Sequence, residues 1–164
     1  MKFDSDSINK ASDLYELALE MSDSMSGDSS AILQILEQAS ELGDDRATYA
    51  RASCYSDGKF GSVIDNKKAN RMFFSLKSSD VAEALFAVAY MYDVGDGVKI
   101  SPTTALSYYM SAALLGHLEA CNQVSEFYRE GRHVNRDSRI ARAWKKRSKS
   151  DELLISPPWR VWLR

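Results

Sequence analysis

Cysteine is nearly absent: Cys54 and Cys121 are the two that the 164-residue chain holds. That is too few for the disulfide framework a small secreted repeat protein would carry. Long apolar runs are missing as well, and nothing approaches the ~18 consecutive apolar residues of a membrane span. The start, Met1-Lys-Phe-Asp4-Ser-Asp6, has acids where an export signal needs bases followed by an apolar stretch. These scarcities together lead us to expect a cytoplasmic protein without membrane contact, its two thiols buried and inert. Histidine is just as scarce. His117 and His133 have no companion at metal-ligand spacing and no Cys-x2-Cys is present, so both read as turn residues and no metal or other cofactor is expected. Gly95-Asp96-Gly97 lacks the preceding strand and the Lys-Ser/Thr of a phosphate loop. The neighbouring acids Asp44 and Asp45 stand at a helix start, where they favour the macrodipole. No constellation supports catalysis, so a non-enzyme with no small-molecule substrate is expected.

Charge is nearly balanced in total, at -2, but unevenly placed. Up to Arg46 the acids Asp4, Asp6, Asp13, Glu16, Glu20, Asp23, Asp28, Glu37, Glu41, Asp44 and Asp45 face only Lys2, Lys10 and Arg46. From Arg129 onward the bases dominate, densest between Arg139 and Lys149. An acidic front and a basic rear can steer a charged partner, can be two solvated helix faces, or can stack copies head to tail. The basic stretch also raises nucleic-acid binding as a rival function, although Trp144 is its one aromatic and the rest of the chain is acidic.

What is abundant is self-similarity. Ala47, Ala84 and Ala120 recur at 37- and 36-residue spacing; Tyr55, Tyr92 and Tyr128 keep the same spacing, as do Gly58, Gly95 and Gly131. Ala69, Ala105 and Ala141 follow at 36, the discrepancy being one extra residue in a loop. Extended backwards, the frame puts Ala11 under Ala47, Ile32 under Ala69 and Gly43 under Gly116. Each unit reads as a helix with its apolar stripe at the alanine, four and eight residues on. A glycine stop follows. Then comes a capping position (Asp28, Asp65, Ser101, Asp137), with Pro102 just inside the next helix. That second helix carries large residues three and four after its alanine: Met72 and Phe73, Tyr108 and Tyr109, Trp144. The expectation is a single all-α domain over 1–164, built of units at about 8–43, 44–80, 81–117 and 118–151, with a tail at 152–164.

The pattern A-x3-L-G-x2-Y-x2-G-x-G-V-x2-D-x3-A-x2-W/Y-Y-x2-A-A-x2-G-H resembles that of the Sel-1-like repeats, relatives of tetratricopeptide repeats. The match is strongest in Ala84–His117, good in Ala47–Asp80 and Ala120–Asp151, and weak in Ala11–Gly43. Three departures stand out. Arg51 takes a core leucine's place, His133 replaces the second loop glycine, and Lys145 and Lys149 replace core-facing residues, as a terminal, partly wet helix would. The resemblance implies a right-handed α/α solenoid whose first helices line a concave side, in proteins that are adaptors, scaffolds or, in some bacteria, immunity proteins, and not enzymes.

If the first helix of each pair lines that side, its outward positions are Lys10, Asp13, Leu17 and Glu20; Arg46, Tyr49, Ser53 and Ser56, with Asp57 beside it; Glu83, Phe86, Tyr90 and Asp93; and Glu119, Asn122, Glu126 and Arg129. Aromatics (Tyr49, Phe86, Tyr90) rimmed by carboxylates suit a basic protein surface. The competing reading packs Phe86 and Tyr90 against a neighbouring repeat. In the tail, Pro157 and Pro158 end the helical pattern, and Trp159 and Trp162 either fold back as a cap or form a linear binding motif. The expected function is a stoichiometric inhibitor or immunity-type protein that neutralises a toxin or effector; the alternative is an adaptor or scaffold in signalling or complex assembly.

Overall fold

The computed structural model describes residues 5–23 and 28–149, and these are helices and turns with no strand among them. The all-α expectation is met. The helices are α1 (Ser5–Asp23), α2 (Ser29–Glu41), α3 (Asp45–Asp57), α4 (Asn66–Ser75), α5 (Ala82–Val94), α6 (Pro102–Leu114), α7 (Leu118–Glu130) and α8 (Ser138–Arg147), with a short 3-10 turn at Lys59–Gly61. They gather into two compact units, one Met1–Leu76 and the other Lys77–Arg164. Within the first, α1 packs on α2, α2 on α3 and α3 on α4; within the second, α5 packs on α6, α6 on α7 and α7 on α8. Trp159 and Trp162, with the cap or motif expected of them, lie outside the described residues.

The repeated sequence columns become repeated hydrogen bonds. Gly58, Gly95 and Gly131 end α3, α5 and α7 in the left-handed region, with φ of 70°, 82° and 73°. Their N–H groups donate to Cys54, Met91 and Phe127 carbonyls at 2.8, 2.9 and 3.0 Å. The tyrosine column then fastens the loop by its backbone. Tyr55, Tyr92 and Tyr128 carbonyls accept from the N–H groups of Asp65, Ser101 and Asp137 at 2.8, 2.9 and 3.0 Å. Those acceptor-donor pairs place each capping residue at the start of its helix. Asp28, Asp65 and Asp137 do cap α2, α4 and α8 through their carboxylates. Ser101 departs from the expectation: its hydroxyl pairs with Thr104 Oγ1 at 2.7 Å and accepts no backbone N–H. Pro102 behind it has no N–H to satisfy, so α6 begins with one orphan donor fewer.

The alanine columns lie where the units are tightest. Ala47, Ala84 and Ala120 are all 0% exposed, and Ala69, Ala105 and Ala141 are buried too. A methyl at these places lets the backbones of neighbouring helices approach closely, and larger side chains fill the space between. In the first unit those are Ile32, Leu36 and the Cys54 thiol; in the second, Leu85, Tyr109, Val124 and Phe127. Both thiols are buried, and burial pushes their pKa values up, which holds them as unreactive thiols. Arg51 keeps its stem inside and carries its guanidinium out to Glu37 and to Ser40 Oγ, so the cation in the leucine position is paired rather than stranded.

Candidate partner-binding face

In the first unit, α3 carries Tyr49, Ser53 and Asp57. Tyr49 is half-buried against Phe73 of α4, ring centroids 5.6 Å apart. Ser53 returns its hydroxyl to the Tyr49 carbonyl at 3.2 Å, and Asp57 is exposed and pairs with Lys59 at 3.0 Å. Arg46 at the head of α3 is held by Asp44 (2.7 Å), Glu16 (2.9 Å) and Ser12 (3.0 Å), with its guanidinium 4.4 Å above the Tyr15 ring. The Asp44 hydrogen bond, foremost among these, raises the Arg46 pKa. Asp44 also caps α3 by accepting from Arg46 and Ala47 N–H. This corner of α3 is therefore rigid and its cation already neutralised.

In the second unit, the matching stripes on α5 (Glu83, Phe86, Tyr90, Asp93) and α7 (Glu119, Asn122, Glu126, Arg129) are tied together at both ends. At the start, Phe86 stacks on the His117 ring, centroids 4.3 Å apart and planes 13° from parallel. His117 in turn caps α7, its Nδ1 accepting the Ala120 N–H at 3.1 Å. That acceptor role requires the neutral ring with its proton on Nε2. Burial lowers the His117 pKa, opposed by the nearby carboxylates of Glu83 and Glu119. At the far end, Asp93 pairs with Arg132, just past α7, at 2.6 Å, and the Arg132 guanidinium lies 4.3 Å over the Phe127 ring. Two ties joining like ends make α5 and α7 run in the same direction.

Between the ties, Tyr90 stands 51% exposed. Phe86 is half-buried, touching Tyr109 of α6 at 5.4 Å as well as His117. Tyr109 is buried, and its phenol is pushed strongly up by burial and by Asp93. Glu83 is exposed. Glu119 accepts from Asn122 at 3.0 Å and Gln123 at 3.4 Å, while Arg129 binds Glu126 and Glu130. The surface is thus one large exposed ring among carboxylates, of which Asp93, Glu119 and Glu126 are held in place by partners.

Two participants were not recognised from the sequence as parts of this face. Arg132 carries no columnar signal, because its aspartate partner is 39 residues away. His117 did carry one: it falls in the Asp44 column, and both residues cap a first helix. Among the described residues no group of three or more His, Cys, Asp or Glu side chains converges as a metal site. No helix among them is long and apolar enough to cross a membrane.

Comparisons with known proteins agree with this architecture. Solved structures of a Sel1 repeat protein from Oxalobacter formigenes (TM-score 0.76, 20% identity, 89% of this chain and 60% of that one) and of a protective antigen with an SLR fold from uropathogenic Escherichia coli (0.71, 19%, 85% and 30%) share the fold. So does an immunity protein from Pseudomonas aeruginosa (0.62, 23%, 90% and 54%). Chitin synthase regulatory factor 1 of Schizosaccharomyces pombe is 30% identical over 120 residues, which are 71% of this chain and 26% of that protein. This chain therefore spans about a quarter of that relative's length. The Sel1 repeat itself matches residues 45–74, 82–117 and 118–148, with the weakly patterned hairpin of α1 and α2 outside the match. With more than half of its length matched, the chain belongs to the Sel1 repeat family, a family of protein-interaction modules.

Proposed function

We propose that this chain is a cytoplasmic, non-enzymatic binder that neutralises one partner protein in equimolar complex, as an immunity protein does. In this reading a basic surface of the partner rests on the α5 and α7 stripes of the second unit. The observation that carries it is Tyr90: a large ring stands half in water on a helix as apolar as α5, and carboxylates flank it. Tyrosine loses little rotamer freedom on binding and anchors interfaces well, while Glu83, Glu119 and Glu126 favour cationic partners. Phe86 backs the stripe through its stack on His117, and Asn122, Asp93 and Arg129 complete it. On the first unit, Tyr49, Ser53 and Asp57 offer their own contact on α3.

Native capture with mass spectrometry should return one tight, equimolar partner. Substituting Tyr90→Ala should weaken that complex by about 30-fold, the effect of losing a ~2 kcal/mol anchor. Unchanged affinity with unchanged helicity would place binding elsewhere. The second reading, an adaptor in a regulatory assembly, draws on the 30% identity to a regulatory factor. Several weaker partners in the same capture experiment would favour it.

A further inference from the structure

Helix α6 shows how the second helix of a repeat can receive the helix that follows. Leu106 (6% exposed), Tyr109 (1%) and Ala113 (0%) bury the following helix, α7. Tyr109 meets Phe127 of α7 at a centroid distance of 6.1 Å, and the Cys121 thiol approaches the Ala113 carbonyl at 3.9 Å. The same three positions thirty-six residues later are Arg142 and Lys145 on α8 and Lys149 in the turn just past it, all exposed. Even the contact inside the hairpin has changed character. Where Phe86 meets Tyr109, the equivalent pair is Asn122 and Lys145, joined by a 3.1 Å hydrogen bond. Lys146 adds to the same side, and from Ser138 to Lys149 there is no acid. Among the described residues no carboxylate pairs with Arg142, Lys145 or Lys149. The side that on α6 takes the buried stripe of α7 is here a cationic row.

Helix α1 carries the complement. Its packed stripe holds Ala11 and Ala18, at 3% and 2% exposure. On the opposite side Asp6, Asp13 and Glu20 are exposed and fall in one line at seven-residue intervals, beside the exposed Leu17. Arg142 and Lys149 are also seven residues apart. On α1 seven residues of helix span roughly 10.5 Å. The Arg142–Lys149 interval runs from α8 into the turn that closes it, where the Lys149 N–H donates to the Lys146 carbonyl at 3.1 Å, so the two charged rows are of similar length.

We propose that α8 of one molecule docks α1 of a second molecule, in the place where α7 docks on α6. The contact is between molecules, and each half of it lies within one compact unit. The contact is heterologous, α8 of one molecule against α1 of another, so every molecule carries both a donor and an acceptor face. Exposed ion pairs each contribute little and are screened by salt. The association is therefore weak, concentration-dependent and abolished by salt. It is independent of the function proposed above and meets the Tyr90 stripe only where Lys145 donates to Asn122.

The test is sedimentation velocity on the full chain near its solubility limit, at about 0.02 M and about 0.5 M ionic strength, where the Debye length falls several-fold. The low-salt mass average should exceed the monomer's and the high-salt value should return to it. Two charge-reversed proteins, Arg142→Glu/Lys149→Glu and Asp13→Lys/Glu20→Lys, should each be monomeric at low salt. Mixed in equal amounts they should associate again, because each supplies the sign the other lost. All four positions are exposed, and helicity by circular dichroism checks that the variants fold. A wild type that is monomeric at both salts overturns the proposal. So does association that survives either reversal, or a mixture that stays monomeric. If wild type is monomeric yet binds an acidic helical peptide or DNA through the same lysines, the face serves that partner and the self-association is equally overturned.

Discussion

Replacing Gly95 by alanine tests the turn that sets the two helices of the repeat against each other. Gly95 has φ +82°, and a Cβ built there would lie 2.6 Å from Ile100 Cγ1. Gly61, in the loop of the first unit, is a natural control: its φ is +76° but nothing lies within 4 Å of the same added carbon. The left-handed conformation costs an alanine about 1–2 kcal/mol. Reduced freedom of the unfolded chain returns about 0.4–1 kcal/mol of that. Gly61→Ala should therefore cost about 0.5–1 kcal/mol. Gly95→Ala carries the same term and an overlap besides. Ile100 is 57% exposed and free to swing away, so the overlap resolves as an off-rotamer side chain at about 0.5–1.5 kcal/mol, for a total of about 1–2.5 kcal/mol. Urea unfolding followed by circular dichroism gives both values. Ile100→Ala in the Gly95→Ala background should recover the overlap part and leave the backbone part, a non-additivity that marks direct contact. Equal losses for the two glycines would show that Ile100 does not close over the turn. Two neutral substitutions would refute the backbone reasoning itself.

Two further outcomes follow from the second unit. His117 resists protonation in the folded state, because burial disfavours the charge and its Nδ1 is already an acceptor. The unfolded chain takes up that proton first, so the stability His117 contributes is complete above its ordinary value near 6.5 and is lost as pH falls through the lowered folded value. His117→Asn keeps a capping oxygen and removes the titration; its stability relative to wild type should improve between about pH 7.5 and about pH 5, and a constant difference would refute the linkage. Ser125 is 3% exposed and donates to the Ala141 carbonyl at 2.8 Å, pinning α7 to α8. Ser125→Ala should cost about 1 kcal/mol, seen as a melting point a few degrees lower, and an unchanged melting point would mean the bond is not formed in solution.

The alignment of alanine, tyrosine and glycine columns made the helices and their turns legible, because each column answers a local demand. A methyl permits close approach, a glycine ends a helix, and a carboxylate caps the next one. The tyrosine column was legible as a position but not in its role, since what repeats most closely is its carbonyl bond to the capping residue. Any residue but the spacing could make that bond. The rings themselves differ: Tyr92 stacks on Tyr108 at 5.8 Å, whereas Tyr55 lies under the Lys68 ammonium. Arg132 was invisible for the converse reason. Its ion pair with Asp93 joins residues 39 apart in two different repeats, and no local rule links them.

The outward stripe exposes the limit of reading a helix as two faces. Two positions after the repeat alanine should point away from the packed side, and by that rule Tyr49 and Phe86 belong to solvent. A first helix inside a repeat array has more than one neighbour, and a ring on a freely turning Cβ reaches several ångströms sideways. Tyr49 accordingly meets Phe73, and Phe86 meets Tyr109 and His117. The next residue in the column, Asn122, is too short and too polar to be drawn in and instead accepts from Lys145. Tyr90, four residues beyond Phe86, stays half in water. One column therefore holds both packing aromatics and a surface amide, and its members separate only when the identity of the facing residue on the second helix is considered with them. An apolar facing residue draws the ring in; a lysine leaves the position wet.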